Sequence, residues 1–238
     1  TVTSTGDILT FFAQDSWRPH RNVTVKPGVR WDNVGLSNQI GEQIAALVED
    51  GSTMELGIGR IPHSVLQFLG NKKDLGIHTA AVTDDQLELV ESGAVSNKCK
   101  GRFKGRSLTT YALGSKRLMQ WLNKNPMVEF QSIDKVFNPI EIGRNRRFVA
   151  VFPARKVDLS GRVALHTGRG NVVAGLAEAV DMVSGAELSA GGKSIFALPS
   201  RNRRGDSNIR LNVEQFPNQF NLRESVDLVA TEYGVAHL

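Results

Sequence analysis

The amino-acid sequence predicts an α/β domain built on a mainly parallel sheet with helices on both faces. Two observations support this. From residue 37 onward, short apolar segments of β type alternate with segments of helical spacing, which is typical of right-handed crossovers between parallel strands. In addition, 40% of the 238 residues are hydrophobic, which suffices for one packed core of ordinary size. Residues 1–36 follow another pattern and predict a β-hairpin of different origin.

The first part of the domain, residues 37–93, is predicted as helix, strand, helix, strand and helix. The first helix is capped by Ser37 and stops at Gly51, because apolar residues recur between them at helical spacing. Proline is favoured in the first turn of a helix, so Pro62 opens the second helix. Asp84 caps the third helix, which ends before Gly93. The predicted strands between them are Thr53–Leu56 and Gly76–Thr79.

The same alternation continues toward the end of the chain. Phe148–Ala154 has the apolar run of a buried strand. The other predicted strands are Thr109–Leu113, Ser194–Leu198 and Val226–Ala230, and the other predicted helices are Ser115–Asn123 and Asn171–Val183. Ligands of such sheets bind outside the carboxyl ends of the strands, so a site is expected at the turn that follows Leu56.

Residues 1–36 contain two β-type segments, Leu9–Trp17 and Asn22–Asp32, separated by the turn-like Arg18–Arg21. Together they resemble a barrel hairpin of TonB-dependent outer-membrane receptors, in which aromatic residues meet a short turn. Two isolated strands bury too little surface to be stable alone. A chimeric origin is therefore expected for this appendage, and an ordinary N-terminal hairpin packed on the domain is the alternative.

The charge of the chain is modestly basic and spread along its length. The formal net charge is +5 and the isoelectric point is near 9.5. Two short basic clusters, Arg144–Arg147 and Arg201–Arg204, are interpreted as solvated loop charge, with a phosphate or nucleic-acid contact as the alternative. Aromatic residues are not interleaved with them, as single-strand binding would need, so no nucleic-acid partner is predicted.

The cysteine and histidine content argues against disulfide and metal chemistry. The single Cys99 excludes an internal disulfide and fits a reducing compartment, so a cytoplasmic location is expected. The five histidines show no metal-ligand spacing, and no metal is expected. No apolar run reaches membrane-spanning length, so no membrane contact is predicted for residues 37–238.

The most informative segment runs from Glu55 to Asp85, where a strand, a glycine turn, a helix and a second strand follow one another. Glycines at 57 and 59 let backbone N–H groups approach an anion, and the following helix N-terminus adds a favourable dipole. The segment resembles the opening of the C-terminal domain of the acetyl-CoA hydrolase/transferase family, which includes the 4-hydroxybutyrate and butyrate-type CoA-transferases. Shorter matches to the same family are Lys156–Gly161, Gly191–Ser200 and Val229–Ala236.

The resemblance implies that the chain binds coenzyme A or an acyl-CoA as substrate. Gly57, Ile58 and Gly59 match the turn that helps to hold coenzyme A in the family. Gly175 and Ala177 lie in a second motif of the family, where Gly175 matches and Ala177 replaces a glycine.

The resemblance also implies an altered catalytic position. The nucleophilic glutamate of the family aligns with Ala80, which has no atom able to attack a thioester carbonyl. Asp84 and Asp85 are the weaker candidates to supply a carboxylate instead.

Two functions of different classes are predicted on this basis. The first is a CoA-transferase or acyl-CoA hydrolase domain that acts on acyl-CoA thioesters and carboxylic acids without the usual glutamate. The alternative is a non-catalytic module that binds acyl-CoA or a protein partner. The resemblance covers part of the family's enzyme, so the N-terminal half is an expected partner, the domain is expected to be truncated at its C-terminus, and a homo-oligomer is compatible with it.

Overall fold

The computed structural model describes residues 12–14, 17–20, 23–25, 28–30, 34–165, 179–216, 219–220 and 225–238. Its main feature is an eight-stranded sheet with helices packed on both faces. The predicted α/β class with a mainly parallel sheet is confirmed. None of the helices in the described ranges is long and apolar enough to cross a lipid bilayer.

The N-terminal segment forms two pairs of short antiparallel strands. Strand β1 (Phe12–Gln14) pairs with β4 (Gly28–Arg30), and β2 (Trp17–His20) pairs with β3 (Val23–Val25). This pairing agrees with a hairpin, but the predicted turn at Arg18–Arg21 is wrong, because the strand continues to His20. Proline is tolerated on an edge strand, where its missing N–H costs no ladder bond. The different origin of the hairpin and the domain boundary after residue 36 stay predictions.

The helices of the described domain carry apolar residues three and four positions apart, so that each longer helix buries one side. In chain order they are α1 (Val34–Leu47), α2 (Arg60–Gln67), α3 (Asp84–Glu91), α4 (Lys116–Leu122), α5 (Ile133–Val136), α6 (Pro139–Gly143) and α7 (Ala179–Leu188).

The strands near the centre of the large sheet are buried, as is usual for parallel strands covered by helices. The strand that contains Phe148 is a continuous apolar run, whereas those that contain Glu55 and His78 also bury polar side chains. In chain order the strands of the large sheet are β5 (Thr53–Leu56), β6 (Gly76–Val82), β7 (Ser107–Ala112), β8 (Val128–Phe130), β9 (Phe148–Pro153), β12 (Lys193–Ala197), β15 (Leu228–Thr231) and β16 (Gly234–His237). Their spatial order is β16-β15-β12-β9-β5-β6-β7-β8. All neighbours are parallel except β15 and β16.

A second sheet consists of four short strands, β10 (Lys156–Asp158), β11 (Val163–Ala164), β13 (Ile209–Arg210) and β14 (Gln219–Phe220). Their spatial order is β13-β10-β11-β14. The Asp158 carboxylate accepts backbone N–H groups from Ser160, Arg162 and Val213, which ties the tight turn after β10 to the segment after β13. This sheet was not predicted, because strands of two or three residues show no periodicity.

Two hydrophobic cores cover the faces of the large sheet. On one face, α1 and α2 pack Ile40, Ile44 and Val65 against the centre of the sheet. On the other face, α7 packs Met182 and Val183 against β9 and β12. A smaller cluster joins β6, α3 and α4. Helices therefore cover both faces of the large sheet near its centre.

Three predicted helix starts differ from the structure. Helix α1 begins at Val34, three residues before the predicted cap Ser37, and α2 begins at Arg60 instead of Pro62. Helix α3 is capped by Thr83 instead of Asp84, because the Thr83 N–H donates to the Gln86 side chain at 2.8 Å in a capping box. The predicted strands in the centre of the sheet are confirmed to within a few residues.

Candidate functional site

The carboxyl ends of the parallel strands meet at one edge of the large sheet, which we call the carboxyl edge. At this edge β5 leads into the Gly57–Gly59 turn, and β6 ends beside α3. Strands β12 and β15 lead to Ser200 and Glu232, and the Ser200 N–H donates to the Glu232 carboxylate at 2.8 Å. Gly57, Ile58 and Gly59 therefore lie at the edge where ligands of such sheets usually bind.

The Gly57–Gly59 turn presents bare backbone at the carboxyl edge. A Cβ added at Gly57 would meet no atom within 4 Å, and the Ile58 side chain is 51% exposed. Gly59 has φ 142° and ψ −178°, a conformation that is essentially restricted to glycine. Helix α2 starts at the next residue and points its N-terminus to the same side. The turn can accept a group that needs close contact with backbone N–H groups.

Ala80 lies in the carboxyl half of β6 and touches a buried carboxylate. Its N–H donates to Oε2 of Glu55 at 3.0 Å, and its carbonyl accepts from the Thr109 hydroxyl at 3.1 Å. Glu55 is fully buried and Ala80 is 5% exposed. Strands β5 and β6 pair at Thr53 with Gly76 and at Met54 with Ile77. Beyond these pairs β5 stays paired with β9, and the Glu55 side chain accepts the Ala80 N–H on the β6 side.

Asp84 fastens α3 to the neighbouring turn. Its carboxylate accepts the Ser115 N–H at 2.8 Å and the Ser115 hydroxyl at 2.6 Å. These two bonds hold the pKa of Asp84 below its usual value. The contact with Gly114 is so close that an added Cβ there would lie 2.4 Å from Asp84 Oδ2. Both carboxylate oxygens are thus engaged in holding the helix.

Asp85 pairs with a histidine on the α2 side of the sheet. Its Oδ1 lies 2.7 Å from Nδ1 of His63, and Nε2 of His63 lies 3.0 Å from the amide nitrogen of Gln67. An amide nitrogen only donates, so His63 accepts at Nε2 and donates its Nδ1–H to Asp85. The pair borders a cavity of about 240 Å³ between α2 and α3.

His78 is the buried polar residue at the middle of β6. Its Nε2 donates to the Val136 carbonyl at 2.7 Å, its Nδ1 faces the Asn145 amide at 3.4 Å, and its ring meets Phe148 edge-on. Burial lowers the pKa of His78 to about 4, so the ring is neutral at pH 7. With both nitrogens occupied, His78 joins the sheet to the α5–α6 segment.

The remaining candidate residues fall into two groups. Gly175 and Ala177 lie outside the described residues, so their part in coenzyme A binding stays a prediction. Arg144 and Arg147 form ion pairs with Glu141 and Glu49, as expected for solvated loop charge. In the described part of the chain, no group of three His, Cys, Asp or Glu side chains is arranged to hold a metal ion.

Sequence reasoning missed Glu55 as a site residue. A signal was present, because a glutamate inside a strand predicted to be buried needs a partner. The partner of the Glu55 carboxylate is the backbone N–H of Ala80 in another strand, and an alanine in the sequence gives no sign of such a contact.

The model of the family described as "Acetyl-CoA hydrolase/transferase C-terminal domain" matches residues 114–238, just over half of the chain. The chain is 44% identical over 200 residues to the 4-hydroxybutyrate coenzyme A transferase of Clostridium kluyveri, covering 84% of this chain and 47% of that protein. It is 38% identical to the succinyl-CoA:cyclohexane-1-carboxylate CoA transferase of Geobacter metallireducens, covering 84% and 46%. The chain spans about half the length of the curated relatives it matches.

Solved structures give the same result for the fold. RipA from Yersinia pestis is 30% identical with a TM-score of 0.77, covering 85% of this chain and 45% of that one. The 4-hydroxybutyrate CoA-transferase of Porphyromonas gingivalis is 37% identical with a TM-score of 0.74, covering 85% and 48%.

Proposed function

The chain belongs to the acetyl-CoA hydrolase/transferase family, and we propose that it transfers coenzyme A between acyl-CoA thioesters and carboxylic acids or hydrolyses the thioester. The observation that carries the proposal is the open Gly57–Gly59 turn at the carboxyl edge, two residues after Glu55. The relatives named above act on acyl-CoA and carboxylates, as their names state.

We propose that the turn holds the phosphorylated arm of coenzyme A. Gly57 leaves open space where any other residue would place a Cβ, so a phosphate oxygen can come within hydrogen-bonding distance of the backbone. The N-terminus of α2 adds a favourable interaction of about 0.3–1 kcal/mol with a negative charge. Gly175 and Ala177 are proposed as further contacts from the family resemblance.

The second candidate function is a binding module that keeps the fold and lacks the transfer reaction. Its supporting observation is Ala80, which we align with the glutamate nucleophile of the family and which offers no carboxylate. Asp84 is tied to Ser115 and Asp85 to His63, so neither is positioned for the role without giving up its present contacts.

Other parts of the proposal concern the surroundings of the domain. The relatives are about twice as long as the matched segment, so we propose that an N-terminal half completes the site at the carboxyl edge. We also propose a cytoplasmic location, based on the single cysteine, and a homo-oligomeric assembly.

The binding proposal is tested by calorimetry with coenzyme A and acetyl-CoA on three proteins: native, Gly57→Ala and Gly70→Ala. An added Cβ at either glycine meets no protein atom within 4 Å, so both variants are expected to fold as the native chain does. Gly57→Ala is expected to weaken binding about tenfold or more, equivalent to about 1.4 kcal/mol, because the methyl group occupies the space of the ligand. Gly70→Ala, at the far end of α2, is expected to bind normally. Equal affinities for all three proteins would contradict the assignment of the turn.

A further inference from the structure

We propose that Glu55 supplies the carboxylate that attacks the acyl-CoA thioester, in place of the glutamate that Ala80 lacks. The inference rests on the proposed transferase or hydrolase function. It concerns a residue that no sequence motif singled out and that lies in a neighbouring strand of the sheet.

The position of the Glu55 carboxylate carries the proposal. Its Oε2 lies 3.0 Å from the backbone nitrogen of Ala80. A glutamate at position 80 would hold its carboxyl carbon four bonds of about 1.5 Å from that same nitrogen. The Glu55 carboxylate and the carboxyl group of a glutamate at position 80 would therefore both lie within about 6 Å of the Ala80 nitrogen.

The Glu55 carboxyl group is fully buried and is held away from water. The Ala80 N–H donates to its Oε2, and a hydrogen bond donated to a carboxylate favours the ionised form. An ionised carboxylate without a full hydration shell is a stronger nucleophile than a hydrated one.

The surroundings of Ala80 add a hydrogen-bond donor. Thr110 lies between Thr109 and Tyr111, which pair with Thr79 and Ala81, so it stands opposite Ala80 on β7. Side chains opposite each other on neighbouring strands share a face of the sheet. The Thr110 hydroxyl is buried and has no hydrogen-bond partner among the described residues. It is available to donate to an oxyanion or to the acyl group beside Ala80.

The route from the carboxyl edge to Glu55 is short. Gly57 follows two residues later, is partly exposed and leaves open space on its Cβ side. The acyl end of a coenzyme A ester bound at the turn thus enters toward β5 and β6. At the same edge the Asp84 carboxylate accepts from Ser115, and the Glu232 carboxylate accepts from Ser200.

The reaction balances without any further reagent. A Glu55 oxygen bonds to the thioester carbonyl carbon while the C–S bond breaks, giving a mixed anhydride and coenzyme A thiolate. The thiolate then attacks the glutamyl carbonyl, which forms an enzyme thioester and releases the acyl group as a carboxylate. An acceptor carboxylate reverses both steps for transfer, whereas water attacking the enzyme thioester gives free coenzyme A and regenerates Glu55 for hydrolysis.

The test traps the enzyme thioester. The full chain is incubated with acetyl-CoA and treated with sodium borohydride, which reduces a glutamyl thioester to an alcohol, and is then digested with trypsin. Cleavage after Arg30 and Arg60 isolates Glu55 from position 80, Asp84 and Asp85, which fall between Lys73 and Lys98. The proteins are native, Glu55→Gln and the double variant Glu55→Gln with Ala80→Glu. Thermal unfolding checks that Glu55→Gln folds, since glutamine keeps an acceptor for the Ala80 N–H.

In the native chain the reduced residue is expected to be Glu55. In Glu55→Gln the adduct is expected to be lost, and the rate of transfer to propionate is expected to fall about 10⁴-fold or more. In the double variant the reduced residue is expected to be the glutamate at position 80. An adduct between Lys73 and Lys98 in the native chain overturns the role of Glu55. An unlabelled native chain with a labelled double variant overturns it too, while leaving the proposed function intact. If neither protein is labelled and calorimetry finds no coenzyme A binding, the proposed function itself fails.

Discussion

Glu55 and His78 are both fully buried polar residues on adjacent central strands, yet their surroundings differ. His78 lies in the middle of β6, where both ring nitrogens meet partners from the α5–α6 segment. Glu55 lies near the carboxyl end of β5, where the strand separates from β6 and the Glu55 carboxylate meets the backbone of Ala80. His78 thus has partners within the fold at both ring nitrogens, whereas Glu55 lies beside the turn at which we propose that coenzyme A binds.

Burial alone therefore does not identify a functional group in this sheet. Position along the strand separates the two cases, because helices cover both faces and leave the strand ends accessible. We therefore expect substitutions of His78 to lower the free energy of unfolding strongly. We expect substitutions of Glu55 to change the free energy of unfolding little and the reaction rate strongly.

Replacing His78 by alanine is expected to have the largest effect on stability. The substitution leaves the Val136 carbonyl without its donor and removes a ring packed edge-on against Phe148. Together these losses are expected to lower the free energy of unfolding by about 4 kcal/mol. Urea denaturation at pH 7 measures the change. His63→Ala is the control, because its side chain is 47% exposed and its loss is expected to cost much less. Equal effects of the two substitutions would contradict a structural role for His78.

Much of this arrangement was predictable from the sequence, and the reasons differ from element to element. The run Phe148–Ala154 is continuous and apolar, so its burial between two layers of helices was evident. The turn at Gly57 was predictable as well, because an apolar strand precedes it and a helix with a proline in its first turn follows it. Strands β8 and β16 were not, since three or four residues at an edge carry little periodic signal.

The candidate site was less predictable than the fold. Asp84 looked like a helix cap, but the threonine before it takes that role and Asp84 binds Ser115 in another segment. The contact between Glu55 and Ala80 depends on where β5 separates from β6 while it stays paired with β9, which follows from packing between strands and not from either residue. Local propensity describes a residue's own segment, whereas these partners come from elsewhere in the chain.

The second prediction concerns the pH dependence of stability. The pKa of His78 is about 4 in the folded protein because of burial, against an ordinary value of 6.5, so the unfolded chain takes up this proton first as the pH falls. The free energy of unfolding is therefore unaffected by His78 above pH 6.5 and decreases between pH 6.5 and 4, by about 3 kcal/mol at most. Urea titrations at several pH values measure it.

The control for that prediction is the His78→Ala variant, whose stability should change less than that of the native chain between pH 6.5 and 4. Lys100 does not interfere in this window. Burial lowers its pKa from 10.5 to about 7, so its contribution to stability rises with pH between 7 and 10.5. A native chain whose stability is flat from pH 6.5 to 4.5 would mean that His78 is protonated inside the fold.

The third prediction compares Gly59 with Gly57 and has the smallest expected effect. Gly59→Ala is expected to lower the free energy of unfolding by about 2 kcal/mol, since its φ of 142° and ψ of −178° are strained for any residue with a Cβ. Gly57→Ala, which meets no atom within 4 Å, is expected to change it by less than about 0.5 kcal/mol. Thermal unfolding of both variants measures the difference. If Gly57→Ala destabilises the chain as much as Gly59→Ala, the space beside Gly57 is needed by the protein itself, and it is not open to coenzyme A.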